Sequence, residues 1–160
     1  MKFIRARRDQ LVFTIGRQEK ALLFELLQLY PLVSPAQYRL SQTAPAGQFK
    51  DHQRLLEEAL ITQRVENRKN VQALLTEPGR FQTAPNGFLL KITRSETEWL
   101  LQVLNDIRVG SWVALGSPDT EAGEKIELNE ETKPHFRSME VAGAFETVFL
   151  DALTRGASTE

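Results

Sequence analysis

The feature that most constrains this chain is the run from Trp99 to Leu115. Projected onto a helix at about 100° per residue, its apolar side chains point in nearly every direction. A helix that is apolar on almost all sides must be covered by neighbouring elements, because water would otherwise contact a large apolar surface. We therefore predict a helix over 94–115 at the centre of the fold.

The polar residues inside this apolar run are the informative ones, above all Asp106 and Arg108. Their spacing of two residues places the side chains about 160° apart on a helix, so they cannot easily pair with each other. An unpaired buried charge costs several kcal/mol, so each side chain needs an opposite charge from another element. We predict that both are packed inside and neutralised by residues distant in the chain.

A second long helix, predicted over 49–76, supplies candidate partners. Its apolar face is marked by seven residues: Leu55, Leu56, Ala59, Leu60, Val71, Ala73 and Leu74. The same face also contains three amide side chains, which are those of Gln63, Asn67 and Asn70. Amides inside an apolar stripe are typical of hydrogen bonds between helices. Arg64 and Arg68 lie towards the edge of the same face, where either could meet Asp106.

These polar groups form the candidate site that the sequence predicts, and three roles are open for them. They set the register of two packed helices, or they line a polar pocket for a ligand or partner, or they take part in catalysis. The last would need a nucleophile or a perturbed acid beside a cleft, which spacing alone does not show. The hypothetical binding set is Asn67, Asn70, Asn105, Asp106 and Arg108. We assign no catalytic residue and no metal ligand.

Two stretches alternate in the manner of β-hairpins, 2–15 and 81–92. In the second, Asn86 and Gly87 lie between apolar runs, and both residue types tolerate the positive φ of a tight turn. A lone two-stranded hairpin is marginal in water. We therefore predict that the two hairpins share one small sheet.

Each predicted hairpin runs into a helix, so that one unit is used twice, over 2–30 and 80–115. The segments 12–27 and 89–104 align without gaps, with identical residues at five positions: Ile15/Ile92, Arg17/Arg94, Glu19/Glu96, Leu23/Leu100 and Leu27/Leu104. So few matches are weak evidence for duplication. They are better evidence for a repeated local structure, in which a glutamate follows each helix start.

The predicted architecture is a single domain over 1–160, of the α+β class and mostly α. Four to five helices pack around the central helix, and two β-hairpins form one small sheet. The fifth helix is a short turn after Ser34, and the last long helix covers 137–154. Between the long helices, residues 117–135 are predicted to form an acidic, mobile surface loop.

Composition excludes several kinds of site. The chain has no cysteine and two histidines, which argues against disulfides, thiolate metal sites and histidine-rich metal centres. Its 20 Lys+Arg and 21 Asp+Glu leave a net charge of -1, which argues against a surface dedicated to polyanions. No apolar run approaches the roughly 20 residues that span a bilayer, and the N-terminus lacks the apolar core of a secretory signal. We expect a cytoplasmic protein with no cofactor and no membrane contact.

A basic edge near the N-terminus keeps nucleic acid open as a weaker alternative. It consists of Lys2, Arg5, Arg7 and Arg8. Charges of this kind usually protect an edge strand against pairing with another chain. Nucleic-acid binding is therefore the least favoured of the partner hypotheses.

The run ETEWLLQVLNDIRVGSWVALG (96–116) resembles the hallmark helix of the uncharacterised bacterial domain-of-unknown-function family 2017. That family carries an acidic-Trp start followed by Asn-Asp-Leu/Ile-Arg and a Leu-Gly. The early and middle helices of that family are similar to two further segments of this chain, EKALLFELL (19–27) and RVENRKNVQALL (64–75). The chain departs from the family's pattern at Trp112 and over 117–135. The resemblance implies a small, mostly helical cytoplasmic protein without an established activity. Members are often encoded beside the adaptor of the Clp protease, which implies a link to regulated proteolysis.

The leading hypothesis is a non-enzymatic protein-interaction or regulatory module whose partner is another protein or a second copy of itself. The alternative is a small-molecule-binding or hydrolytic domain that uses a polar pocket around Asp106 and Arg108. A concavity of several hundred Å³ beside these two residues would favour the alternative. A flat apolar patch without such a concavity would favour the leading hypothesis.

Overall fold

The computed structural model describes residues 1–32, 48–119 and 123–157. In these residues the chain forms four helices and one four-stranded antiparallel sheet, which confirms the α+β, mostly α class. The strands are β1 (Lys2–Arg7), β2 (Gln10–Ile15), β3 (Phe81–Ala84) and β4 (Gly87–Thr93), and the helices are α1 (Arg17–Gln28), α2 (Gln48–Thr76), α3 (Arg94–Ala114) and α4 (Thr132–Ala157). The short fifth helix predicted after Ser34 lies outside the described residues.

The sheet has the strand order β1-β2-β4-β3, so β2 and β4 lie in its middle. Each of them also pairs with its neighbour in sequence, β1 with β2 and β3 with β4. Across the central pair, Leu11 lies opposite Ile92 and Phe13 opposite Leu90. These four side chains are fully buried. Alternate residues of the two central strands therefore supply the sheet's contribution to the core.

Gly87 is required where β4 begins beside the end of β2. Its φ is +136°, and a Cβ atom at this position would lie 2.4 Å from the carbonyl oxygen of Ile15. No side chain fits at such a distance, and L-residues rarely adopt this backbone conformation. The glycine thus lets the two central strands approach each other at the start of their ladder.

The two helices that follow the central strands begin in the same way. The Glu19 carboxylate accepts the backbone N–H of Gly16 at 2.7 Å, and the Glu96 carboxylate accepts that of Thr93 at 2.7 Å. Each glutamate satisfies an amide that has no partner within its helix, and its charge is favourable at a helix N-terminus. The identities at these positions therefore have a local structural cause.

The main partner of α3 is α4, although α3 also contacts α1, α2 and β4. The sequence predicts that α3 packs on the long helix α2, and this contact is the minor one. The physical reason is the supply of buried apolar surface. From α4, Ala142, Phe145, Phe149 and Ala152 are buried, whereas from Asp51 to the end of α2 the buried apolar side chains are those of Val71 and Leu74.

The last helix begins earlier than predicted, at Thr132, inside the segment 117–135 that was expected to be a loop. Asn129 stabilises this start, because its side-chain oxygen accepts the backbone N–H groups of Glu131 and Thr132 at 2.9 and 3.0 Å. Such an asparagine is a favourable N-terminal cap. Within the described ranges, no helix is long and apolar enough to cross a membrane.

Candidate functional site

Asp106 is buried on α3 and makes an ion pair with α2. Its Oδ2 lies 3.0 Å from Nη2 of Arg64, and both side chains are about nine-tenths buried. Its other oxygen, Oδ1, accepts the backbone N–H of Leu32 at 2.9 Å. One carboxylate therefore joins α3 to α2 and to the segment that follows α1.

The position of Asp106 explains why an acid occurs on an apolar helix. The N–H of Leu32 lies four residues beyond the last residue of α1, outside any helix or strand, so its acceptor must come from another part of the fold. A carboxylate that receives both an amide and a guanidinium makes two charge-assisted hydrogen bonds, which offset the cost of removing the charges from water. This arrangement fits a structural role for Asp106, since its oxygens face groups of the chain itself.

The amides of α2 do not join one network. Asn67 is buried, and its Nδ2 donates to the hydroxyl of Tyr30 at a long 3.5 Å. Gln63 donates instead to Gln102 of α3 at 2.5 Å, in an exposed position. Asn70 is half-buried one turn beyond Asn67. The predicted hydrogen bonding between helices thus occurs at separate points.

Two members of the predicted set lie away from the buried carboxylate. Asn105 is exposed, and the Arg108 side chain is 49% exposed. The prediction that Arg108 is packed inside is therefore wrong. Its direction on α3 leads to the surface beside α4, whereas Asp106 points towards α2. The five predicted residues consequently do not surround one pocket.

Arg108 has an acidic partner that the sequence reasoning missed, Glu146 of α4. The Nε atom of Arg108 lies 3.4 Å from Oε2 of Glu146. Glu146 is only 8% exposed, and burial raises its pKa above the usual range, while the positive charge of Arg108 opposes this rise. A signal was present in the sequence, because Glu146 is an acid at the border of the apolar stripe of the last helix. That stripe consists of Phe136, Val141, Phe145, Val148, Phe149 and Leu153.

A groove runs between α3 and α4 beside Arg108. It has a volume of about 750 Å³ and is lined by Arg108, Val109, Trp112, Met139, Glu140, Gly143, Ala144 and Thr147. The small side chains of α4 leave this space open, and Trp112 forms its apolar wall with 40% of its surface exposed. Asp106 is not among the lining residues. The predicted polar pocket contained both Asp106 and Arg108, whereas this groove is lined by Arg108 alone of the two.

The N-terminal half of α2 is a second surface, and the sequence analysis missed it. From Asp51 to Gln63 none of the side chains is buried, and Leu55, Ile61 and Val65 are 55%, 49% and 53% exposed. Leu55 was expected on the buried face. The signal for the other two was their spacing, since Ile61 and Val65 are one turn apart and lie off the predicted apolar face.

Acidic side chains and histidines do not cluster in a way that suggests a metal site. Across 1–32, 48–119 and 123–157, no three of them are close enough together to hold a metal ion. The chain was also compared with models of known families, with curated proteins and with solved structures, and none matches it.

Proposed function

We propose that this protein is a non-enzymatic protein-interaction or regulatory module that binds its partner through the outer surface of α2. One observation carries the proposal. The helix exposes the apolar side chains of Leu55, Ile61 and Val65, and from Asp51 to Gln63 it has no buried side chain. Exposed apolar residues grouped on one element are typical of surfaces that bind another protein.

Helix energetics support the same proposal. The stretch from Asp51 to Gln63 has 13 residues. Isolated helices of this length are marginal in water, because most helical stability in proteins comes from packing of an apolar face. A partner that covers Ile61 and Val65 would supply such packing.

The buried polar groups have a structural role in this proposal. Asp106 holds Arg64 and the Leu32 amide, so α2 is anchored at its C-terminal half while its N-terminal half presents a surface.

We propose α3 as the central helix, since it contacts α1, α2, α4 and β4. We also propose membership in family 2017, a cytoplasmic location and a role in regulated proteolysis. The family and the proteolytic role rest on the resemblance of 96–116 alone.

Site-specific photo-crosslinking in the source cells tests the proposed surface. A photoreactive residue at position 61 should form adducts with protein, whereas the same residue at position 150 should not. Leu150 is a matched control, because it is also apolar and 54% exposed but lies on α4. Adding Val65→Glu should abolish the adduct at position 61. Equal adduct formation at both positions, or none at either, would contradict the proposal.

The groove between α3 and α4 favours a second candidate function, the binding of a small molecule. Its volume of about 750 Å³ lies in the range of ligand pockets. An aromatic wall at Trp112 and the cation of Arg108 suit an aromatic anion. The hydrolytic version of this alternative has no support in the geometry, since Asp106 faces α2.

Binding of the aromatic anion anilinonaphthalene sulfonate tests the groove. A Cβ atom at Gly143 would lie 3.9 Å from Cδ of Arg108, so alanine fits without a clash. Gly143→Leu should fill the groove and remove saturable fluorescence enhancement, while Gly143→Ala should retain it. Equal binding by the two variants would place the dye elsewhere and remove the support for this candidate.

A further inference from the structure

Four exposed residues of α2 form a stripe with the spacing of a coiled-coil seam. They are Glu58, Ile61, Val65 and Arg68, which follow one another at intervals of three, four and three residues. This spacing is that of the a and d positions of a heptad, which lie along one side of a helix. All four side chains are exposed. The stripe is separate from the inward side of α2, on which Arg64 and Asn67 lie.

The order of these residues is self-complementary in one arrangement only. Read along the helix, the stripe runs acid, apolar, apolar, base. In an antiparallel pair of identical helices, Glu58 lies opposite Arg68 of the second copy and Ile61 opposite Val65. In a parallel pair, by contrast, like charges would lie opposite each other at both ends, which is unfavourable.

We propose that two copies of this chain pair antiparallel through α2, with the stripe Glu58–Ile61–Val65–Arg68 as the seam. This inference rests on the proposed function and names the partner of that same surface. A two-fold axis midway between Ile61 and Val65 relates the copies, so every contact occurs twice and the assembly closes as a dimer.

The same two-fold axis forms the charged contact at both ends of the seam, since Glu58 of each copy meets Arg68 of the other. The dimer therefore contains two ion pairs around an apolar centre of two Ile61 and two Val65 side chains.

Contacts within one chain compete only weakly with this pairing. Glu58 lies 3.8 Å from Arg54, and both side chains are more than 60% exposed. An exposed pair of this type contributes little to stability. It can therefore rearrange at little cost when the second copy binds.

The size of the seam sets the expected strength of the dimer. Ten residue steps from Glu58 to Arg68 span about 15 Å of helix. This is short compared with the roughly 800 Å² per partner of a standard stable interface. Dimerisation should therefore depend on protein concentration in the micromolar range or above, and it should weaken with salt because the ion pairs are exposed.

Sedimentation velocity of the full chain over a concentration series tests the inference with charge reversal. Glu58→Arg and Arg68→Glu should each weaken the dimer by roughly tenfold or more, since each change breaks two symmetric pairs. The double variant should return the dissociation constant to within about threefold of the original. Glu66→Arg is the matched control, because Glu66 lies on the same helix with the same exposure but off the stripe. Its dimer should be unchanged, and circular dichroism should show equal helix content in all variants.

Three outcomes would overturn the inference: a monomer at every concentration, a dimer that Glu58→Arg leaves intact, or single reversals that the double variant does not rescue. The crosslink at position 61 separates these failures from a failure of the proposed function. If that crosslink captures a different protein while the chain sediments as a monomer, the surface is an interaction site and only self-association is wrong.

Discussion

Asp106 and Arg108 belong to the same helix, two residues apart, yet they lie in different physical environments. Asp106 pairs with Arg64 at 3.0 Å, with both side chains about nine-tenths buried. Arg108 pairs with Glu146 at 3.4 Å while its own side chain is half-exposed. The two ion pairs join α3 to different helices, α2 on one side and α4 on the other.

The difference shows that the burial of a charged side chain depends on which element packs against its side of the helix. The Asp106 side of α3 faces α2 and the segment after α1, so water is excluded. The Arg108 side borders the open groove against α4, where a long side chain keeps its charged head in water. Breaking the first pair should therefore cost far more free energy of unfolding than breaking the second.

Asp106→Ala has the largest expected effect. The change leaves the Arg64 guanidinium without its carboxylate in a buried position, and it removes the acceptor of the Leu32 amide. We expect the free energy of unfolding to fall by about 3 kcal/mol. Urea denaturation followed by circular dichroism measures this. Asn105→Ala is the control, since Asn105 is exposed and its loss should change stability by less than about 0.5 kcal/mol. An unchanged midpoint for Asp106→Ala would show that the pair does not anchor α2.

Asp106→Asn separates the charge of the carboxylate from its role as an acceptor. The amide oxygen can still accept the Leu32 N–H, but it cannot neutralise Arg64. We expect a loss of about 1–2 kcal/mol, intermediate between the original protein and the alanine variant. If asparagine and alanine cost the same free energy in the same denaturation experiment, the charge alone accounts for the effect.

The Arg108–Glu146 pair should contribute less. A double-mutant cycle with Arg108→Ala and Glu146→Gln should give a coupling free energy of about 0.2–1 kcal/mol, as for other partly exposed pairs. The same cycle applied to Arg64 and Asp106 should give a larger value. Equal couplings would contradict the contrast between the two sides of α3.

The smallest effect is a dependence on pH. Burial raises the pKa of Glu146 in the folded state above its unfolded value of about 4.3. Its contribution to stability is therefore fully present below about pH 4.3 and is lost as the pH rises through the folded pKa. Glu146→Gln removes this loss, so the variant should become more stable relative to the original between pH 4 and pH 7. Urea titrations at both pH values measure the change. A relative stability that falls over this range would show that the pairing with Arg108 outweighs burial.

Much of the fold follows from local pattern. Apolar alternation predicts the positions of the strands, and the spacing of Thr93 and Glu96 predicts the start of α3. Helix geometry also predicted that either Arg64 or Arg68 meets Asp106, and the structure shows that the partner is Arg64. The candidate site was predicted less well, because Asn105 and Arg108 lie on exposed sides of α3. A helical projection that is apolar in nearly every direction does not show which sides a neighbouring element covers.

By itself, the sequence determined the order of strands and helices, the N-terminal caps of α1 and α3 and the need of Asp106 for a distant cation. These properties depend on residues within a few positions of one another, or on the cost of burying a charge. Only the tertiary structure decided that α4 is the main partner of α3, that Arg108 borders an open groove, and that Leu55 and Ile61 of α2 are exposed. Which surfaces meet depends on the apolar area that all the helices together can bury. The periodicity of one helix shows which of its own sides is apolar, but it does not show which neighbour covers that side.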